Sequence, residues 1–196
     1  MANIHLEQSP DSNLTDMMMS HFNPEGLTKE ELNKIFNDCL EIADDTYYLV
    51  TIAKTIKKAQ YNSSLYMEVY KKAEKAIETI VDYTCLAGSL KKDLYAVEWS
   101  IYLLDEAKKI TDKNPCCYDY ITIGDTYSDE FGDKNRGREL YKLAEQYATT
   151  ADDYDILARS VIDYVHDTYW YAELKQKMRL LATEPEEVDF RLDKII

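Results

Sequence analysis

The strongest constraint on this chain is a pair of landmarks that recur together about every 34 residues. The small residues Ala53, Ala87, Gly124 and Ala158 are spaced by 34, 37 and 34. Each closes an apolar pentapeptide: Leu49-Val50-Thr51-Ile52-Ala53, Tyr83-Thr84-Cys85-Leu86-Ala87, Tyr120-Ile121-Thr122-Ile123-Gly124 and Tyr154-Asp155-Ile156-Leu157-Ala158. A second landmark follows each by 20 residues, at Ala73, Ala107, Ala144 and Met178, and Tyr70, Leu104 and Tyr141 stand three positions before the first three. Self-similarity at this period means supersecondary units that must stack to bury their apolar faces.

The spacing within a unit predicts two helices. Tyr83, Leu86, Ala87 and Leu90 fall at i, i+3, i+4, i+7, as do Tyr120, Ile123, Gly124 and Tyr127, which makes one buried stripe. Tyr141, Ala144 and Ala148 line a face of the second helix. Small residues between large ones let a neighbouring helix approach closely. Breakers separate the helices at Tyr61-Asn62-Ser63-Ser64 and Phe131-Gly132-Asp133, and Lys113-Asn114-Pro115 takes up the longer interval between units.

The pattern extends both ways. A degenerate first unit places Thr15, Met18, Met19 and Phe22 on the stripe and Phe36 before Cys39, with Thr28 and Glu31 spaced as a capping box. Forward, Val188, Leu192 and Ile195 continue the stripe after Pro185, and the final helix would close the stack. The expected architecture is all-α. It has units at about 14–44, 45–79, 80–114, 115–150 and 151–183, a capping helix at 185–196, and residues 1–13 without ordered structure.

Composition agrees with that reading. Five Gly and four Pro in 196 residues are too few for the turns of an all-β fold. With 23 Lys plus Arg against 37 Asp plus Glu the net charge is −14, which disfavours binding to nucleic-acid phosphates. No apolar run approaches the length of a membrane span. The first 26 residues hold no Lys or Arg, so they lack the basic start of a secretory signal. Cys39, Cys85, Cys116 and Cys117 have no disulfide-framework spacing, which points to free thiols in the cytoplasm.

The 34-residue helix-turn-helix period, with its aromatic-x-x-Ala second helix, resembles the tetratricopeptide repeats over residues 14–196. The resemblance implies a right-handed α-solenoid of antiparallel helix pairs whose first helices line a concave groove. That face would carry Tyr47, Val50, Lys54, Lys57 and Lys58, then Thr84, Gly88, Lys91 and Lys92. Further along it would carry Tyr118, Ile121, Asp125 and Asp129, then Asp152, Asp155, Arg159 and Asp163. The implied groove is basic in its N-terminal half and acidic in its C-terminal half. It would suit a peptide with one acidic and one basic end.

Little in the chain points to catalysis. His5, His21 and His166 share no metal-ligand spacing. There is no phosphate loop, nucleophile elbow or HExxH. Cys116-Cys117 reads as burial at a helix start, with a redox or metal site as the other reading. Asp44-Asp45 and Asp152-Asp153 read as helix caps and dipole partners. Tyr47-Tyr48 and Tyr169-Trp170-Tyr171 are denser than one stripe can bury, so some rings should be exposed.

The expected function is a non-catalytic protein-interaction scaffold that binds a partner peptide or helix in the groove. It would need no cofactor or metal, with self-association through the end units as a further route. The alternative is an acidic inhibitor or immunity-type protein that binds a basic enzyme or toxin through charge complementarity. A third reading is an enzyme that uses Cys116 or Cys117 as its nucleophile.

Overall fold

The computed structural model describes residues 26–59 and 63–182, and among these every regular element is a helix. In chain order they are α1 (Lys29–Ile42), α2 (Thr46–Lys58), α3 (Ser63–Lys75), α4 (Ile80–Leu94) and α5 (Val97–Lys113). Then come α6 (Cys117–Glu130), α7 (Lys134–Tyr147), α8 (Ala151–Ser160), a π-helical turn (Val161–Val165) and α9 (Thr168–Ala182). None is long and apolar enough to cross a membrane. The expected helix before Asn23, the disordered start and the capping helix at 185–196 lie outside the described residues.

Local chemistry sets the helix ends. Thr28, Thr79 and Thr150 each accept from the backbone of the residue three positions on, and Glu31, Asp82 and Asp153 return the bond to the threonine backbone. These are capping boxes, in which two orphan N–H groups are satisfied reciprocally. Asp45 caps α2 by accepting from the Tyr48 backbone at 2.8 Å, and Asp133 caps α7 through the Arg136 backbone at 3.0 Å. Between α6 and α7, Gly132 turns at φ +66° and the Asp133 backbone donates to the Tyr127 carbonyl. Glycine occupies that left-handed conformation without the penalty a Cβ brings.

The contacts divide the chain into two compact units, Met1–Ala107 and Lys108–Ile196, with the division inside α5. In the first, α2 packs against α3 as a hairpin, and α2 also meets α1 and α4. Phe36, Leu49, Ile56, Tyr70, Leu86, Leu90, Leu103 and Leu104 are its largest fully buried side chains. The Thr46 hydroxyl donates to the Ala73 carbonyl at 3.1 Å, and the Lys72 ammonium donates to the Leu40 and Ala43 carbonyls at the end of α1. The Tyr70 hydroxyl donates to Asp93 at 2.8 Å.

In the second unit α6 pairs with α7 and α8 with α9, while α6 also packs on α8. Glycine sets the α6–α7 separation. A Cβ on Gly124 would sit 2.6 Å from the Tyr141 ring, and one on Gly137 would sit 1.9 Å from the Ser128 hydroxyl. The π-helical turn ends at His166, which adopts φ +61° and donates its backbone N–H to the Val161 carbonyl. Asp167 then opens α9 by accepting from the Trp170 backbone, and Arg138 of α7 pairs with its other oxygen at 2.9 Å. Glu145 of α7 accepts from the Trp170 indole at 2.9 Å and from Lys177 at 2.6 Å, tying α7 to α9.

The landmark residues lie in these cores. Ala53, Ala73, Ala87, Ala107, Ala144 and Ala158 have no exposed surface, and Gly124 is buried. Met178, the last landmark, is half-buried, as are Tyr83 and Tyr154 of the expected stripe. Their polar hydroxyls keep these rings at the edge of the core.

Candidate functional site

In the first unit the lysines of the expected groove stand toward the C-terminal ends of two adjacent helices. Lys54, Lys57 and Lys58 stand on α2, and Lys91 and Lys92 on α4. Cations belong at such ends, where the last carbonyls leave partial negative charge. The Lys57 ammonium donates to the Asp93 carbonyl just past Lys92 and so holds the two ends side by side. Lys54, Lys58 and Lys92 are exposed, while Lys57 and Lys91 are half-buried.

The Lys54 charge is also felt on α4. Burial pushes the Cys85 thiol above its ordinary range, with the Lys54 charge opposing the shift and Asp82 and Asp45 adding to it. At the other end of α2, Tyr47 is exposed and meets Tyr48 edge-on at 6.1 Å between ring centres.

The second unit places the remaining expected residues differently. Tyr118, Asp129 and Asp163 are exposed, with Asp163 on the π-helical turn rather than on α8. Asp125, expected on an open face, is drawn into the packing of α6, α7 and α8. Its carboxylate accepts from the Tyr141 hydroxyl at 2.7 Å and from the Ser160 hydroxyl at 3.2 Å. The fully buried Tyr141 ring explains the change, since its hydroxyl needs an acceptor inside the protein. Asp155 pairs with Arg159 and also takes the Lys175 ammonium at 2.6 Å, so both belong to the α8–α9 junction.

Electrostatics separate these acids. Burial raises the Asp125 carboxyl, its two hydroxyl donors pull it down, and the nearby Asp129 and Asp163 push it up again, with a net upward shift. Asp155 is held low, chiefly by the Lys175 hydrogen bond and then by Arg159. The two groups have opposite linkage. Folded Asp125 retains its proton above the range of the unfolded chain, so its contribution to stability falls as pH rises through that window. Asp155 contributes above the unfolded aspartate range and is lost as pH falls toward its folded value. Asp125→Asn is therefore expected to gain stability relative to wild type as pH rises from 4 to 7. Chemical denaturation at both pH values checks this, and a variant that loses stability relative to wild type between pH 4 and pH 7 would contradict it.

Four other residues assigned to the groove face are not open. Val50, Thr84, Gly88 and Ile121 are buried, because the first helices pack on one another, α2 on α4 and α6 on α8. Asp152 is exposed, and its neighbour Asp153 serves the capping box. The dense aromatic runs divide in the expected way: Tyr169 is 74% exposed while Trp170 is 8% exposed. Sequence reasoning missed Asp93, Ser160 and Lys175. Nothing local marks them, since their partners lie 20 or more residues away.

The two buried thiols are poor nucleophiles. Burial pushes Cys39 up to about 11 and Cys117 up to about 12, with Asp38 and Asp153 adding to the respective shifts. The thiolate is the reactive form, so these two remain protonated near neutral pH. Cys116 is exposed at the N-cap of α6, where it makes no side-chain cap bond, and Cys117 is buried. Among the described residues, no group of three or more His, Cys, Asp or Glu side chains is placed to hold a metal ion.

One regularity links the four small landmarks. The fifth residue after each small landmark is Lys58, Lys92, Asp129 and Asp163 in turn, and all four are exposed. The same outward position is thus basic twice in the first unit and acidic twice in the second. No protein-family model matches the chain, and neither a curated protein nor a solved structure matches it.

Proposed function

We propose that this chain is a non-catalytic protein-interaction module of tetratricopeptide-like helix pairs, binding a partner peptide or helix on the outward faces of its first helices. The observation that carries the reading is the shared register of Lys58, Lys92, Asp129 and Asp163. An exposed charged position kept in register at four successive landmarks, with one change of sign, is the pattern a polarised binding face would carry. The packing of first helix on first helix, α2 on α4 and α6 on α8, supports it by bringing those positions into rows.

A second reading keeps its own support. Asp129 and Asp163 are exposed, and burial raises the Tyr164 hydroxyl first, with Asp125, Asp129 and Asp163 adding to the shift. That is a concentrated acidic face of the kind that would serve an inhibitor of a basic enzyme or toxin.

Capture of partners from the source cell at low and high salt separates the two. Lys54→Glu/Lys58→Glu is expected to abolish retention of a partner that wild type holds and that Asp129→Lys/Asp163→Lys weakens without abolishing. A partner lost at high salt and lost only with the aspartate variant would favour the inhibitor reading instead. Retention unaffected by both variants would overturn both.

A further inference from the structure

We infer that the C-terminal turns of α2 and α4 form a docking site for an acidic segment of a partner protein, whose carboxylates pair with Lys54 and Lys58 beside Lys92. The inference rests on the interaction-module reading and supplies the chemistry of the partner for the first unit.

Three observations converge on it. First, the two lysine-bearing ends are joined by the bond from the Lys57 ammonium to the Asp93 carbonyl, so the cluster is held together by the fold. Second, the acid that the structure places at the cluster, Asp93, already has a donor, the Tyr70 hydroxyl at 2.8 Å. Third, Lys54 and Lys58 are exposed, and among the described residues neither is paired with a carboxylate. Such a face within a chain of net charge −14 stands out as a locally basic surface.

The spacing selects the occupant. Lys54 and Lys58 are one helical turn apart, about 6 Å along the axis at 1.5 Å per residue. Alternate side chains of an extended peptide repeat at about 6.8 Å. An Asp or Glu at every second position of an extended segment therefore meets both ammonium groups. A long nucleic acid fits badly, since its binding grows with the number of cations that displace counterions and the rest of this chain is acidic.

The test is amide NMR on the full chain, titrated with three short synthetic peptides: one alternating Glu and Ser, one alternating Lys and Ser, and one neutral and aromatic. The acidic peptide is expected to shift the amides of the last turns of α2 and α4. Lys54→Glu/Lys58→Glu should weaken it by about tenfold or more. Lys71→Glu/Lys75→Glu on α3 makes the same change in net charge and should weaken it by less than about twofold, in keeping with screened surface charges. Equal loss in both variants would overturn the site, as would displacement of the peptide by a DNA oligonucleotide at lower concentration. A gain in affinity of about tenfold on Glu184→Gln/Glu186→Gln/Glu187→Gln would make this chain's own C-terminal segment the occupant and overturn a separate partner. If only the basic or neutral peptide shifts the first helices, the interaction module stands and the acidic partner falls. If none does, both fall.

Discussion

Replacing Tyr141 by alanine is expected to destabilise the protein by about 4 kcal/mol, the usual cost of deleting a buried aromatic ring. The ring has no exposed surface, and its hydroxyl donates to Asp125 at 2.7 Å. Truncation therefore leaves both a cavity and a carboxylate deprived of its better donor. Tyr141→Phe separates the two effects, because it keeps the ring and removes only the hydroxyl. Its expected cost is about 1–2 kcal/mol, with Ser160 remaining as a donor to Asp125. Urea denaturation with an unchanged m-value reads both numbers. An alanine variant no less stable than the phenylalanine one would show that the ring contributes no packing.

The second large effect lies across the same contact. Gly124→Ala would gain about 1 kcal/mol of helix propensity, but its Cβ would meet Cε1, Cδ1 and Cζ of Tyr141 at 2.6, 3.0 and 3.3 Å. The ring is enclosed and its hydroxyl is held, so it has little room to move. Overpacking of this kind costs about 1–3 kcal/mol, and a net loss is expected. In the Tyr141→Ala background the obstacle is gone, and the same substitution should become stabilising. A double-mutant cycle is expected to return a coupling energy above about 1 kcal/mol. Additive effects would mean that α6 and α7 are farther apart than the structure places them.

These two residues also show what the sequence reveals and what it conceals. Gly124 was legible as a small residue in register with Ala53, Ala87 and Ala158, because close helix packing constrains size and size repeats with the helices. The box of Thr28 and Glu31 was legible because both partners lie within one turn. Asp125 was not. By periodicity it belongs with the open face of α6, and only the arrival of Tyr141 and Ser160 from other helices turns it inward. The burial of Val50, Thr84, Gly88 and Ile121 likewise depends on first helices meeting one another. The π-helical turn escaped notice for a different reason: Val161–Val165 contains no Gly or Pro, so nothing in it signals a change of winding. The division inside α5 has no signal either, since Val97–Lys113 is free of both residues.

The threonine boxes at the starts of α1, α4 and α8 bear on how the chain reaches its native state. Nucleation is the unfavourable step in making a helix. Each box supplies it from residues three apart, with almost no loop entropy to overcome. Among the described residues three such starts are distributed along the chain, and none depends on a distant segment. Ordering can begin at each of them separately, in the manner of proteins whose contacts are mostly local and whose folding is fast. During synthesis, both residues of the Thr28 box are in place long before the ribosome has reached Thr150.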